Sequence, residues 1–468
     1  MADVPISGPA DDGEQDPAHD PQNPFAGSPF EELLGGLASG DPASLQAVFG
    51  QIQRMFAPHE GAVNWEFARD LARQTVAQSN DPAANAGDAA RVSDAARLAE
   101  HWLDQATEFP APSSTVAAWS RAEWVEASMP TWRRLVEPVA ESVVKATSAA
   151  IPAEAQAMAG PMMGLLNQLG SAMFTSQIGQ AIGGLSEEVV SATDIGFPVG
   201  DVGKPAIVFA NAEAFGEGLD ISADDVLLYL VLRECAHQRL YAHAPWLRDH
   251  LFSAIEDYGR GITIDTSQIE ESMRGLDPSN PAALQEAMTS GGLFDLEHTP
   301  AQQAALTRLE TALALVEGWV DEVVGQATEK AMPQAGALRE TVRRRRASGG
   351  PAEATFATLV GLELRPRRLR DAATLWGALR AAEGATARDA VWAHPESLPT
   401  AADLDDPLAF AQRTRAADDV DISSPEFDAA LAALLDEGTT AGGPAGRDEP
   451  DDESDASAGD DSPGPSTS

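Results

Sequence analysis

Residues Arg233 to His243 read RECAHQRLYAH, and the apolar run VLLYLVL from Val226 to Leu232 leads directly into them. A run that is apolar on every side marks a helix buried all round, so polar groups entering it need partners. Arg233 and His237 are four apart and share a face with Val226, Leu230 and Leu240, whereas Glu234 points about 100° away, nearer Leu227 and Val231. An isolated buried charge is strongly disfavoured, so these side chains either pair internally or line a cavity. Cys235 adds a thiol between them. With no second member of a Cys-His-Asn set indicated, it reads as a small buried residue.

The helix that carries these groups has a legible start and stop. Ser222 can cap it, Asp225 follows three residues on, and Ile221 with Val226 has the spacing of a hydrophobic staple. Pro245 disfavours helical geometry at Ala244 and can open a new helix through WLRDHLFSAIEDYGRGI. Upstream, the turn-rich TDIGFPVGDVGKP is followed by AIVFAN, the best strand candidate, so a small sheet is expected before the helix.

A second long helix is expected from TPAQQAALTRLETALALVEGWVDEVV, with Thr299, Pro300 and Gln302 in capping-box spacing. Leu306, Leu309, Leu313, Val320 and Val324 form its apolar stripe, and Glu317 sits at the edge beside Glu310 and Asp321. A bridge from Glu317 to Arg233 or another arginine would satisfy it. Cations are at hand in the run Arg343 to Arg346 and in Arg365, Arg367, Arg368 and Arg370. Such a cluster can bind phosphate, bind an acidic partner or neutralise the chain's own carboxylates. Internal pairing is the expectation, because Glu340, Glu353, Glu363 and Asp371 are local.

The chain as a whole narrows the function classes. With 73 acidic against 31 basic residues it carries a formal net charge of −42, which repels polyanions and excludes nucleic acid as a general partner. One cysteine allows neither an intramolecular disulfide framework nor a Cys-based zinc finger, and a reducing cytoplasm fits. The N-terminus has neither the basic nor the apolar region of a signal peptide, so export is not expected. From Ala155 to Ser186 no residue is charged, yet Pro161, repeated glycines and five Asn/Gln residues interrupt the stretch. It reads as close-packed helices rather than a membrane span.

Helical spacing also runs through VNWEFARDLARQTVAQ, AARLAEHWLDQAT and SRAEWVEASMPTWRRLVEPVAESVVKA, with Trp65, Trp102, Trp119, Trp124 and Trp132 as core anchors. The fold class expected is mainly α, a helix-dominated α+β arrangement with a small β element before the Arg233 helix. Residues 1–28 and 438–468 are rich in Pro, Gly, Ser and acidic residues and are expected to be disordered. Between them we expect an N-terminal helical region over 29–150 and a helical core over 151–437.

Five stretches carry a family resemblance: VNWE, SRAEWVEA, the Arg233 helix, LALVEGWVDEVV and GGPAEATFATLVGLELRPRRLRDAA. Together they resemble an actinobacterial family of zincin-like metallopeptidases and hydrolases, related to proteins associated with coenzyme F420 biosynthesis. The resemblance implies zinc as cofactor and a peptide or protein as substrate. A zincin needs two histidines four apart on one helical face, with a glutamate beside the first acting as general base on the metal-bound water. Laid on RECAH, this makes Glu234 the catalytic base and His237 a ligand, with Glu317 from the later helix as a further ligand and His243 as another candidate. Arg233 replaces the first histidine, and a guanidinium that stays protonated does not ligate zinc. Two alternatives follow. Either zinc is held differently, or the scaffold has lost its metal and Arg233, Glu234, His237, Glu317 and neighbouring Asp321 serve a polar network.

Overall fold

The computed structural model describes residues 57–150, 160–261, 299–347 and 368–418, together with Gly50, Arg54, Thr355 and Leu359. The ends expected to be disordered, 1–28 and 438–468, lie outside these residues. The described chain is helix-dominated, as expected. In order it forms α1 (Trp65–Gln78), α2 (Ala86–Leu103), β1 (Ala117–Trp119), α3 (Arg121–Ala150), α4 (Gly160–Glu188), β2 (Ala206–Val208) and α5 (Phe209–Phe215). Then come α6 (Ala223–His243), α7 (Pro245–Arg260), α8 (Pro300–Thr328), α9 (Ala335–Ala347), α10 (Leu369–Ala390), two short 3-10 turns, α11 (Ala401–Asp405) and α12 (Pro407–Asp418).

Side chains just outside the helices fix where they begin. The Asn64 side chain accepts from Phe67 N, Asn85 and Asp88 form a reciprocal capping box, and so do Thr299 and Gln302. Ser222 accepts from Asp225 N, and Pro245 is the first residue of α7, so the Arg233 helix starts and stops where the sequence indicates. All sixteen residues from Val226 to Tyr241 are buried, which is what the all-round apolar run requires.

The described part of the uncharged stretch, from Gly160 on, lies in α4, which crosses α1 at close range. A Cβ on Gly179 would stand 2.6 Å from Ala68 O, and one on Gly183 would stand 2.7 Å from Thr75 Cβ. Only a residue without a side chain lets the backbones approach this closely. Among the described residues no helix is long and apolar enough to cross a membrane.

Among the described residues the sheet has two strands. Ala117, Ala118 and Trp119 pair in parallel with Ala206, Ile207 and Val208, and Ser191 adds an antiparallel bridge to Ile207. β2 is the expected strand, whereas its partner β1 has no alternating pattern of its own and takes its geometry from β2 and the helices beneath. Trp124 and Trp132 are fully buried, while Trp65, Trp102 and Trp119 pack half-buried against the core.

One buried group ties distant parts of the chain together. Asp389, near the end of α10, accepts from Thr107 Oγ1 at 2.6 Å, Glu108 N at 2.9 Å, Trp319 Nε1 at 3.0 Å and Arg388 Nε at 2.8 Å. Four donors on one buried carboxylate offset its desolvation.

Candidate functional site

The Arg233 face of α6 meets α8, and the end of α9 closes over both. Glu317 is the centre of this junction. Its Oε2 accepts from Arg233 Nη2 at 2.7 Å, and its Oε1 lies 3.0 Å from His237 Nε2 and 2.8 Å from Arg346 Nη2. The carboxylate is 1 % exposed and His237 2 %. His237 Nδ1 lies 2.8 Å from Arg233 O, one helical turn back. Both ring nitrogens therefore face oxygen acceptors, and both contacts are hydrogen bonds only when each nitrogen carries hydrogen.

A second carboxylate, Asp194, completes the cluster from the segment between α4 and β2. It accepts from Val190 N at 3.0 Å and Arg345 Nη1 at 2.9 Å, while Arg346 Nη2 donates to its backbone oxygen at 2.7 Å. Gly196 lets this segment turn over the junction with a φ of +97°, and its carbonyl accepts from Tyr241 Oη at 2.7 Å. Burial pushes both the Glu317 and Asp194 carboxyls up. The opposing groups are stronger: Arg346, His237 and Arg233 hold Glu317, and Arg345 and Arg346 hold Asp194, below the usual carboxylate range. Burial likewise disfavours the charged Arg233, but Glu317, Tyr229, Asp321 and Asp194 outweigh it and raise its pKa.

Asp321, one turn beyond Glu317 on α8, accepts on Oδ2 from Arg339 Nε at 2.8 Å and Arg343 Nη2 at 2.6 Å. Four arginines of α9 thus serve internal carboxylates, the pairing expected, although the partners Asp321, Asp194 and Glu317 come from other segments and not from the local acidic residues. Arg344, on the outer face, is the exposed member of the run.

Glu234 faces elsewhere. Its Oε2 accepts from Thr193 N at 3.1 Å and Thr193 Oγ1 at 2.5 Å, and its Oε1 from Gln238 Nε2 at 3.0 Å and Ala206 N at 3.3 Å. It is fully buried and fastens the turn after α4 and the start of β2 to α6. His243 is at the exposed end of the helix, its ring stacked on Phe109 at 5.0 Å and its Nδ1 2.8 Å from Arg239 O. Cys235 is fully buried, and burial followed by nearby Glu100 pushes its thiol well up. The structure brings together Arg233, His237 and Glu317 with Asp321 one turn away. Glu234 and His243 stand in separate surroundings.

The side chains at this junction do not fit a zinc ion. Where a zincin has its first histidine, a guanidinium donates to the carboxylate, and both oxygens of Glu317 are already taken by donors. Among the described residues no three His, Cys, Asp or Glu side chains are grouped to hold a metal. Sequence reasoning missed Asp194 and Thr193, since a turn-rich segment gives no sign of which helix it will cross. The run of arginines was the usable signal for Arg345 and Arg346.

No curated protein matches the chain in sequence. Among solved structures, a protein from Chloroflexus aurantiacus described as "a putative hydrolase with a novel fold" superposes with a TM-score of 0.54 at 19 % identity, covering 75 % of this chain and 99 % of the other. At that identity the likeness is one of fold. The family model for zincin-like metallopeptidases matches residues 63–411, a span holding every element from α1 to α11 and the whole Arg233–Glu317 junction, and the chain belongs to that family.

Proposed function

We propose that this chain is a zincin-family protein that works as a binding scaffold, with its own cations in place of a metal. The observation that carries this reading is the Glu317 carboxylate, which receives Arg233, His237 and Arg346 at once. Arg233 stands where the family pattern calls for a histidine ligand, and its charge meets the carboxylate that would otherwise face a metal. Glu234, the residue that the pattern makes a general base, spends both oxygens on Thr193, Ala206 and Gln238. The partner class is peptide or protein, in keeping with the family. The lone buried cysteine fits a reducing cytoplasm.

The test is the metal content of protein purified without an affinity tag, measured by mass spectrometry for wild type and His237→Ala. The expected result is no stoichiometric metal in either. One zinc per chain, lost in His237→Ala, would overturn the reading.

A second reading is favoured by the family match itself: a zinc-dependent hydrolase of peptide or amide bonds, with Glu234 as base and His237 and Glu317 as ligands. It requires that Glu234 leave its present donors and that Arg346 and Arg233 release Glu317. Stoichiometric zinc together with peptide hydrolysis abolished by Glu234→Gln would establish it.

A further inference from the structure

In a chain with 73 acidic and 31 basic residues, an arginine drawn towards the interior should find a carboxylate. Arg233, Arg239, Arg346 and Arg388 all do. Arg248, in the first turns of α7, does not. Its Nη2 donates to a neutral hydroxyl, Thr131 Oγ1, at 2.7 Å, and that hydroxyl donates on to Val199 O at 2.5 Å. Its Nε is buried with no hydrogen-bond partner, and among the described residues it has no ion pair.

A second guanidinium stands beside it. Arg134 and Arg248 place their Cζ atoms 4.6 Å and 5.1 Å from the centroid of the same ring, Phe252. Burial and then Arg134 lower the Arg248 pKa, and the upward pull of Asp201, Asp249 and Tyr241 only partly offsets them. The surroundings add positive potential, because α7 begins without a side-chain cap and without an acidic residue in its first turn. The carboxylates nearby are engaged at the rim: Asp249 bridges Arg134 at 2.7 Å and Asp201 bridges Lys204 at 2.6 Å. The rim is open, since Arg134 is 47 % exposed and Asp249 71 %.

We propose that Arg248 and Arg134, the former positioned by Thr131, form a binding site for an oxyanion group, phosphate or carboxylate, carried by a soluble ligand. Guanidiniums supply forked N–H donors of the kind that bind oxyanions, and both of these lie against the one Phe252 ring. Bound anion would supply the direct ion pair that Arg248 lacks among the described residues. This site lies on the α3–α7 side of the molecule and is independent of the Glu317 junction and of its reading.

The experiment is calorimetric titration of inorganic phosphate into the full chain at fixed ionic strength set with sodium chloride. Saturable binding is expected, weakened about tenfold or more in Arg248→Gln and less in Arg134→Gln. It should be unchanged in Arg97→Gln, an exposed arginine on α2. No saturable binding, or equal affinity in wild type and Arg248→Gln, overturns the proposal. A second measurement needs no variant: phosphate should protect Arg248 from dicarbonyl modification, mapped by mass spectrometry on the wild-type chain, and equal labelling with and without phosphate overturns the site. Acetate at the same ionic strength assigns the ligand class. Displacement of phosphate by acetate indicates a carboxylate-tolerant site, and no displacement restricts it to phosphate.

Discussion

Arg233 donates to Glu317 at 2.7 Å with both side chains closed off from solvent. The pair spans α6 and α8 and joins two buried helical faces of opposite charge. Arg233→Ala leaves a buried carboxylate short of a cation, and we expect a loss of roughly 3–5 kcal/mol in unfolding free energy. Chemical denaturation checks it. A midpoint equal to wild type would show that the pair contributes nothing.

Glu234 gives a separate expectation. Replacing its carboxylate by an amide in Glu234→Gln turns one acceptor oxygen into a donor amid Thr193 N, Ala206 N and Gln238 Nε2. The cost should be about 1–3 kcal/mol. Hydrogen exchange should show it as faster opening of β2 and the turn after α4, and protection equal to wild type there would contradict the fastening role.

The dependence on acid follows from the lowered pKa values of Glu317 and Asp194. A carboxyl lowered in the folded state contributes stability that is complete above its unfolded pKa, about 4.3 for glutamate and 3.9 for aspartate. That contribution is lost as pH falls through the folded value. Denaturation midpoints should therefore hold from neutrality to near pH 5 and decline below it, less steeply in Glu317→Gln than in wild type. An equal decline in the variant would remove Glu317 from the explanation.

Much of this site is readable from residue order, and the limits are physical. The all-round apolar run before Arg233, the Ser222 cap and Pro245 fix α6 in sequence. The capping box at Thr299 fixes α8, and the edge position of Glu317 marks it as a group in need of a cation. Which cation it meets depends on packing: Arg346 reaches Glu317 because α9 folds back across α8, and no local pattern records that turn. Asp194 and Thr193 lie in a segment whose glycines and prolines signal a turn but not its destination. The strand β1 is hidden for a related reason, since three residues of parallel pairing take their stability from a partner 89 positions away.

The crossing of α1 and α4 tests packing apart from charge. Gly179→Ala would press a methyl against the Ala68 carbonyl, and we expect a loss of about 1–3 kcal/mol. Gly170→Ala, on the same helix with open space around it, should be neutral or slightly stabilising by helix propensity. Thermal melts of the two variants give the comparison, and equal melting points would refute the close contact.

The clamp at Asp389 has a consequence for synthesis. Thr107, the Glu108 amide and Trp319 all wait for a carboxylate that is encoded 282 residues after Thr107. A chain growing on the ribosome can cap and coil its early helices as they emerge, but it cannot clamp the Thr107–Glu108 turn until α10 has left the exit tunnel. The turn after α2 therefore stays unclamped through most of translation, even though α1 can already pack on α4, and any apolar surface it leaves open must be sheltered until then.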